Sequence, residues 1–223
     1  PLLRLILPSD PADPSDAALQ RRAILEAGAT LQADEALVVD AGFGVAGLLT
    51  AGVSRFVTRV ARNFTARRNV LPAYKGRGRG PVYGELVRPL PRTHKGKTLA
   101  ATPPDPTAQW VVAGRTITAQ VWDNLVLATA KPGSPAFRCV VIHDPRYKAP
   151  LVLATTLPVS AEALWRLYGD RWPIEQVPLA AKQMLGAHRA FVFGDASRHR
   201  LPALALLAGN VLAYVAATTA AVA

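Results

Sequence analysis

The sequence predicts a mixed α/β fold, with a strand–helix–strand opening, a long β-rich middle and a helical end. Three observations predict it. Apolar runs at Leu2–Leu7 and Leu37–Val39 flank a segment with helix-start signals. Four β-branched or aromatic runs lie between Trp110 and Thr156, and Leu201–Ala223 is an uncharged stretch with apolar residues at helical steps. At 223 residues and 50% hydrophobic, the chain buries a full core and accommodates one large or two small domains.

The chain opens Pro1-Leu2-Leu3-Arg4, without an initiator Met, an n-region or a cleavage site, so it reads as a cut end and not as a signal peptide. After the apolar strand at Leu2–Leu7, the run Pro8-Ser9-Asp10-Pro11-Ala12-Asp13-Pro14-Ser15-Asp16 is a turn. Ser15 or Asp16 is placed to cap a helix from Ala17 to Ala27. Leu37–Val39 is the next strand and Val45–Thr50 opens a second helix. Further on, Trp110–Ala113, Thr116–Trp122, Arg138–Ile142 and Leu151–Thr156 read as strands separated by Gly, Pro and Asp punctuation. In the last segment Leu201, Leu204, Leu207, Val211, Leu212 and Val215 recur at helical steps, which predicts a buried core helix. Its 23 uncharged residues are also long enough to cross a bilayer, with Arg198, His199 and Arg200 as a positive flank, but Ala dominates and Asn210, Thr218 and Thr219 interrupt it, so no membrane association is expected.

Composition narrows the chemistry. The single cysteine, Cys139, lies in an apolar run and reads as a small buried hydrophobe in a reducing compartment, which leaves no disulfide and no cysteine-built zinc site. His94, His143, His188 and His199 lack metal-ligand spacing; only His188 falls near the motif described next. The basic residues, by contrast, are gathered. Arg55, Arg59, Arg62, Arg67, Arg68, Lys75, Arg77, Arg79, Arg88, Arg92, Lys95 and Lys97 lie in one segment whose only acid is Glu85. Its net +11 equals that of the whole chain. Such a block, with Gly76-Arg77-Gly78-Arg79-Gly80 inside it, suits a polyanion.

Tyr168, Arg171, Glu175 and Lys182 form the pattern Tyr-x2-Arg-x3-Glu-x6-Lys. On one continuous helix the steps of three, four and seven return to one face, roughly within a 60° arc. The stripe would hold a carboxylate for a divalent metal, two cations for flanking phosphates and a phenol. Embedded in Leu167-Tyr168-Gly169-Asp170-Arg171-Trp172-Pro173-Ile174-Glu175, it resembles the Tyr-Arg-Glu-Lys signature of bacterial insertion-sequence transposases of the DDE class, whose Glu is the last of three catalytic acids. Asp40, closing the apolar run Ala36-Leu37-Val38-Val39, resembles the second acid of that family. The 135 positions from Asp40 to Glu175 match the place of its β-rich insertion.

The resemblance implies a ribonuclease-H-like fold interrupted by that insertion: residues 1–54 as the first part of the core, 55–150 as the basic β-rich insertion, and 151–223 as the second part with the Glu helix and a C-terminal helix. It implies DNA strand cleavage and strand transfer at transposon ends with two Mg2+ or Mn2+ ions held by Asp40 and Glu175. Tyr168, Arg171 and Lys182 would grip phosphates, joined by Arg59, Arg62, Lys75, Arg77 and Arg79 from the basic block, and Trp110, Trp122 or Trp172 would stack on an unpaired base. A homodimer acting on DNA in the cytoplasm, near the nucleoid, goes with it.

This chain departs from the family pattern at two places. No first acid is found, Asp10, Asp13 and Asp16 lying in the proline-rich turn, so the chain reads as the C-terminal part of a transposase that binds DNA without cleaving it. Pro178, between Glu175 and Lys182, kinks the expected helix and weakens the placing of Lys182. Two other readings compete. Gly42-Phe43-Gly44-Val45-Ala46-Gly47 satisfies Gly-x-Gly-x-x-Gly between a strand and a helix, and Arg59 or Arg62 would suit the phosphorylated ribose of an NADP-type oxidoreductase, although Asp40 would repel the pyrophosphate. A basic DNA-binding module without catalysis is the other.

Overall fold

Helix α1 begins where a side chain supplies what the backbone lacks: the Ser15 hydroxyl accepts a hydrogen bond from Ala18 N at 3.3 Å, and α1 then runs Asp16–Thr30. The computed structural model describes residues 15–76, 78–171, 200, 204–205, 207–212 and 214–215. The expected strand Leu2–Leu7 therefore lies outside the described residues. Ser15–Tyr168 form one compact unit, and the chain from Gly169 onward belongs to a second.

Within the first unit, β1 (Leu37–Val39) is followed by α2 (Val45–Thr50) and β2 (Phe56–Arg59). The two strands are parallel, with Leu37 opposite Phe56 and Val39 opposite Thr58. A parallel pair needs a crossover, and α2 with its flanking turns supplies it. Then come β3 (Ala66–Arg68), β4 (Leu86–Val87), β5 (Arg92–His94), β6 (Lys97–Leu99), β7 (Thr107–Val112), β8 (Arg115–Leu127), β9 (Phe137–His143), β10 (Leu151–Thr155) and α3 (Ala161–Gly169). The molecule is thus mixed α/β, rich in strand and with few helices. The strands read from sequence at Trp110, Thr116, Arg138 and Leu151 are all present as β7 to β10.

Eight strands make one sheet in the order β1-β2-β10-β9-β8-β3-β4, with β7 also paired to β8, while β5 and β6 form a separate hairpin. Apart from β1 and β2, neighbours run antiparallel. The sheet is continuous across positions 54/55 and 150/151, where the sequence reading divides the chain: β10 pairs with both β2 and β9.

Alternation along the strands feeds two apolar layers. On one face Phe56, Cys139, Val141, Val152 and Ala154 pack with Ile24 of α1 and Val45 and Leu48 of α2. On the other, Val57, Val140, Ile142 and Leu153 pack with Ala161 and Leu164 of α3. β8 serves both layers through a bulge between Trp122 and Leu125, where Asn124 takes φ 49°. The extra residue shifts the alternation by one, so Ile117, Ala119 and Val121 face α3 while Trp122 and Leu125 both face the other layer.

Two expectations are corrected. α3 ends at Gly169, so Tyr168 and Arg171 do not share one continuous helix; Gly169 and Asp170 are poor helix formers, and Pro173 biases the residue before it away from helical geometry. In the second unit residues 204–205, 207–212 and 214–215 are helical, but the apolar residues expected in a core are exposed, from Leu204 at 58% to Leu212 at 45%. Helical periodicity of apolar residues marks a face that seeks cover without saying that this chain supplies it. Among the described residues no helix is long and apolar enough to cross a membrane.

Candidate functional site

The sheet's directions gather charged residues from distant stretches at one edge. β1 and β2 are parallel, and β9 lies two antiparallel steps from β2, so all three run the same way. Asp40 follows β1 at that edge, Arg59 and Arg62 end and follow β2, and Asp144, Arg146 and Lys148 follow β9. Antiparallel β8 begins there with Arg115.

Asp40 sits in a turn that its own oxygens close. Its Oδ1 accepts from Ala41 N at 2.7 Å and its carbonyl from Phe43 N at 3.0 Å. The buried hydroxyl of Thr58, in the neighbouring parallel strand, donates to Phe43 O at 2.7 Å and locks the turn to β2. The Tyr168 hydroxyl, at the C-terminal end of α3, donates to Asp40 Oδ1 at 3.2 Å across 128 positions of sequence. α3 delivers it there because Ser160 caps the helix start, accepting from Ala163 N at 3.1 Å, and Leu164, Trp165 and Tyr168 pack on the sheet beside Val57 and Leu153. The structure thus brings together Asp40 and Tyr168, and topology sets Arg59 and Arg62 at the same edge. Arg171 is half-buried two residues past α3. Glu175, Lys182 and Arg77 lie outside the described residues.

Ten of the basic block's residues divide into two kinds, with Arg88 half-buried and in neither. Arg55 donates to Glu35 O, Arg67 to Ala128 O and Gly84 O, Arg68 to both oxygens of Asp105 at 2.6 Å, and Arg92 to Asn63 O; these hold the fold together. Arg59, Arg62, Lys75, Arg79, Lys95 and Lys97 are exposed and make no ion pair among the described residues. They are the cations available to a polyanion.

Three further readings meet the geometry. Trp122 is corrected: it is 0% exposed and donates Nε1 to Thr102 O and Pro103 O, so it cannot stack on a base, while Trp110 packs edge-on against Trp165, ring centres 6.0 Å apart, and Trp172 lies outside the described residues. Burial pushes the Cys139 thiol up to about 12, as suits an inert core residue. At the Gly-x-Gly-x-x-Gly run, Gly42, Gly44 and Gly47 have no positive φ, and a Cβ would meet nothing nearer than 3.5 Å at any of them. Nothing there calls for glycine, and the Ala41 and Phe43 N–H groups are already taken by Asp40.

Sequence reasoning missed Thr58, Arg115, Asp144, Arg146 and Lys148. Asp144 is buried and receives Arg146 Nη2 at 2.7 Å, Nε at 2.9 Å and N at 3.0 Å, with Arg115 Nε at 3.7 Å. Those hydrogen bonds and charges hold its carboxyl below the usual range. Among the described residues no group of three or more His, Cys, Asp or Glu converges to hold a metal ion. Comparison with protein-family models finds no match, and comparison with curated proteins finds none either.

Proposed function

We propose that the chain is part of the catalytic domain of a DNA transposase of the DDE class, with a ribonuclease-H-like core. The observation that supports this most is the Tyr168–Asp40 hydrogen bond: two residues singled out by separate motifs, far apart in sequence, meet at the end of a parallel strand whose neighbour ends in the exposed Arg59. The parallel β1–α2–β2 unit is the α/β context in which such a strand-end acid is expected.

Asp40 offers hard carboxylate oxygens, the donor type that Mg2+ and Mn2+ take, and Glu175 would be its partner. A bound divalent ion supplies Lewis-acid polarisation of the phosphoryl group and a more acidic bound water. The chain's own residues do the rest. Tyr168 fixes the Asp40 carboxylate, Thr58 fixes the turn beneath it, and Arg59 and Arg62 neutralise phosphates along the same edge, with Arg171 and Lys182 as the further phosphate contacts that the motif implies. A homodimer in the cytoplasm near the nucleoid goes with this reading.

Mn2+ binding followed by electron paramagnetic resonance, with a duplex oligonucleotide present, tests it. The wild-type chain is expected to bind Mn2+ and DNA, Asp40→Asn and Glu175→Gln to lose the metal while keeping DNA, and Tyr168→Phe to weaken metal binding about 10- to 100-fold as removal of an orienting partner does. A chain that binds DNA but holds no Mn2+ would be a basic DNA-binding module. Nicotinamide-nucleotide binding would move the reading to Gly42–Gly47.

A further inference from the structure

The hairpin β5–β6 belongs neither to the main sheet nor to the Asp40 site. Arg92 pairs with Leu99, Thr93 with Thr98 and His94 with Lys97, leaving a two-residue turn of Lys95 and Gly96 at φ 48° and 73°. Two positive φ values in a two-residue loop match the twist of a narrow ribbon, and such turns favour Asn-Gly or Gly-Gly. A lysine at the first position is locally strained. Thr93, His94, Lys95, Gly96, Lys97 and Thr98 are all exposed, whereas the root is fixed: Arg88 N donates to the Thr102 hydroxyl at 2.9 Å, Thr102 N donates to Arg88 O at 2.8 Å, and Leu90 packs on the core. Pro89 and Pro91 stiffen one stem, Pro103 and Pro104 the other. Between Glu85 and Asp105 there is no acid, against Arg88, Arg92, Lys95 and Lys97.

We propose that β5–β6 is a ribbon that enters the major groove of duplex DNA, with Lys95 and Lys97 on phosphates and base edges at its tip. This rests on the reading of the chain as DNA-binding and adds where the duplex is gripped. Size supports it: three residues per strand plus the turn reach about 10 Å, near the roughly 8.5 Å depth of the major groove, and two paired strands fit its width of about 12 Å but not the minor groove of about 6 Å.

The test compares the full chain with Lys95→Asn/Lys97→Gln by fluorescence anisotropy on a 20-base-pair duplex across salt, alongside dimethyl sulfate protection of guanine N7. Asn suits the turn, so the melting temperature is expected not to fall. The slope of log affinity against log salt is expected to shrink by about 2, and N7 protection to disappear. If the double variant melts early, Lys97→Gln alone is expected to reduce the slope by about 1. Unchanged slope and protection in a chain that does bind the duplex would overturn the ribbon alone; failure of the wild type to bind the duplex would overturn the DNA-binding reading with it.

Discussion

Thr58 shows how one hydroxyl conditions a site it does not belong to. It is fully buried in β2, and its shortest hydrogen bond, 2.7 Å to Phe43 O, anchors the turn that presents Asp40. Thr58→Val keeps the shape and deletes the donor, leaving the part-buried Phe43 carbonyl without that partner. The expected cost is about 1–3 kcal/mol in urea denaturation, with weaker Mn2+ binding, while Thr58→Ser retains both. Asp40 was legible in the sequence because an acid closing an apolar run stands out in one dimension. Thr58 was not, because its role depends on which strand lies beside it and on the parallel register that sets it under the turn.

Among the elements, β3 and β8 are tied by a carboxylate that belongs to neither. Asp105 accepts both Nη atoms of Arg68 in β3 at 2.6 Å and Asp123 N in β8 at 2.8 Å. The Arg68 hydrogen bond, chiefly, holds the Asp105 carboxyl below its ordinary range. A lowered folded-state value means that the stabilisation is present above the unfolded carboxylate value of about 4 and is lost as pH falls through the lower one. Asp105→Asn is therefore expected to melt earlier than wild type at neutral pH and to converge with it in acid, as thermal scans from pH 7 to 2 would show. β7 to β10 could be read from sequence because their β-branched runs are long. β3, β5 and β6 could not, since arginine, lysine and histidine occupy positions where strands are held by pairing and not by apolar alternation. α3 was not read from the sequence: the spacing of the motif invited a helix running forward from Tyr168, whereas α3 runs Ala161–Gly169 and ends there.

Over the whole molecule, the twelve basic residues of the segment overstate the cations free to contact phosphates, since several of its arginines are held by carbonyls and by Asp105. Among the described residues of that segment, Arg59, Arg62, Lys75, Arg79, Lys95 and Lys97 are the exposed cations. Six phosphate contacts correspond to a slope near −5, so affinity for duplex DNA is expected to fall about 1,000-fold between 50 and 200 mM salt. A salt-independent affinity in an anisotropy titration would refute this assignment.

The contact between Asp40 and Tyr168 also orders events during synthesis. Residue 40 and the exposed cations up to Lys97 leave the ribosome well before residue 168, so the phenol that steadies the carboxylate arrives last. Any product that stops short of α3 would carry the cations without that partner. A product that stops before Leu151 would also lack β10, the strand that joins β2 to β9 and so ties β1 and β2 to the rest of the sheet. Termination between Thr155 and Tyr168 would therefore cost Asp40 its steadying hydroxyl alone, and termination before Leu151 the connecting strand as well.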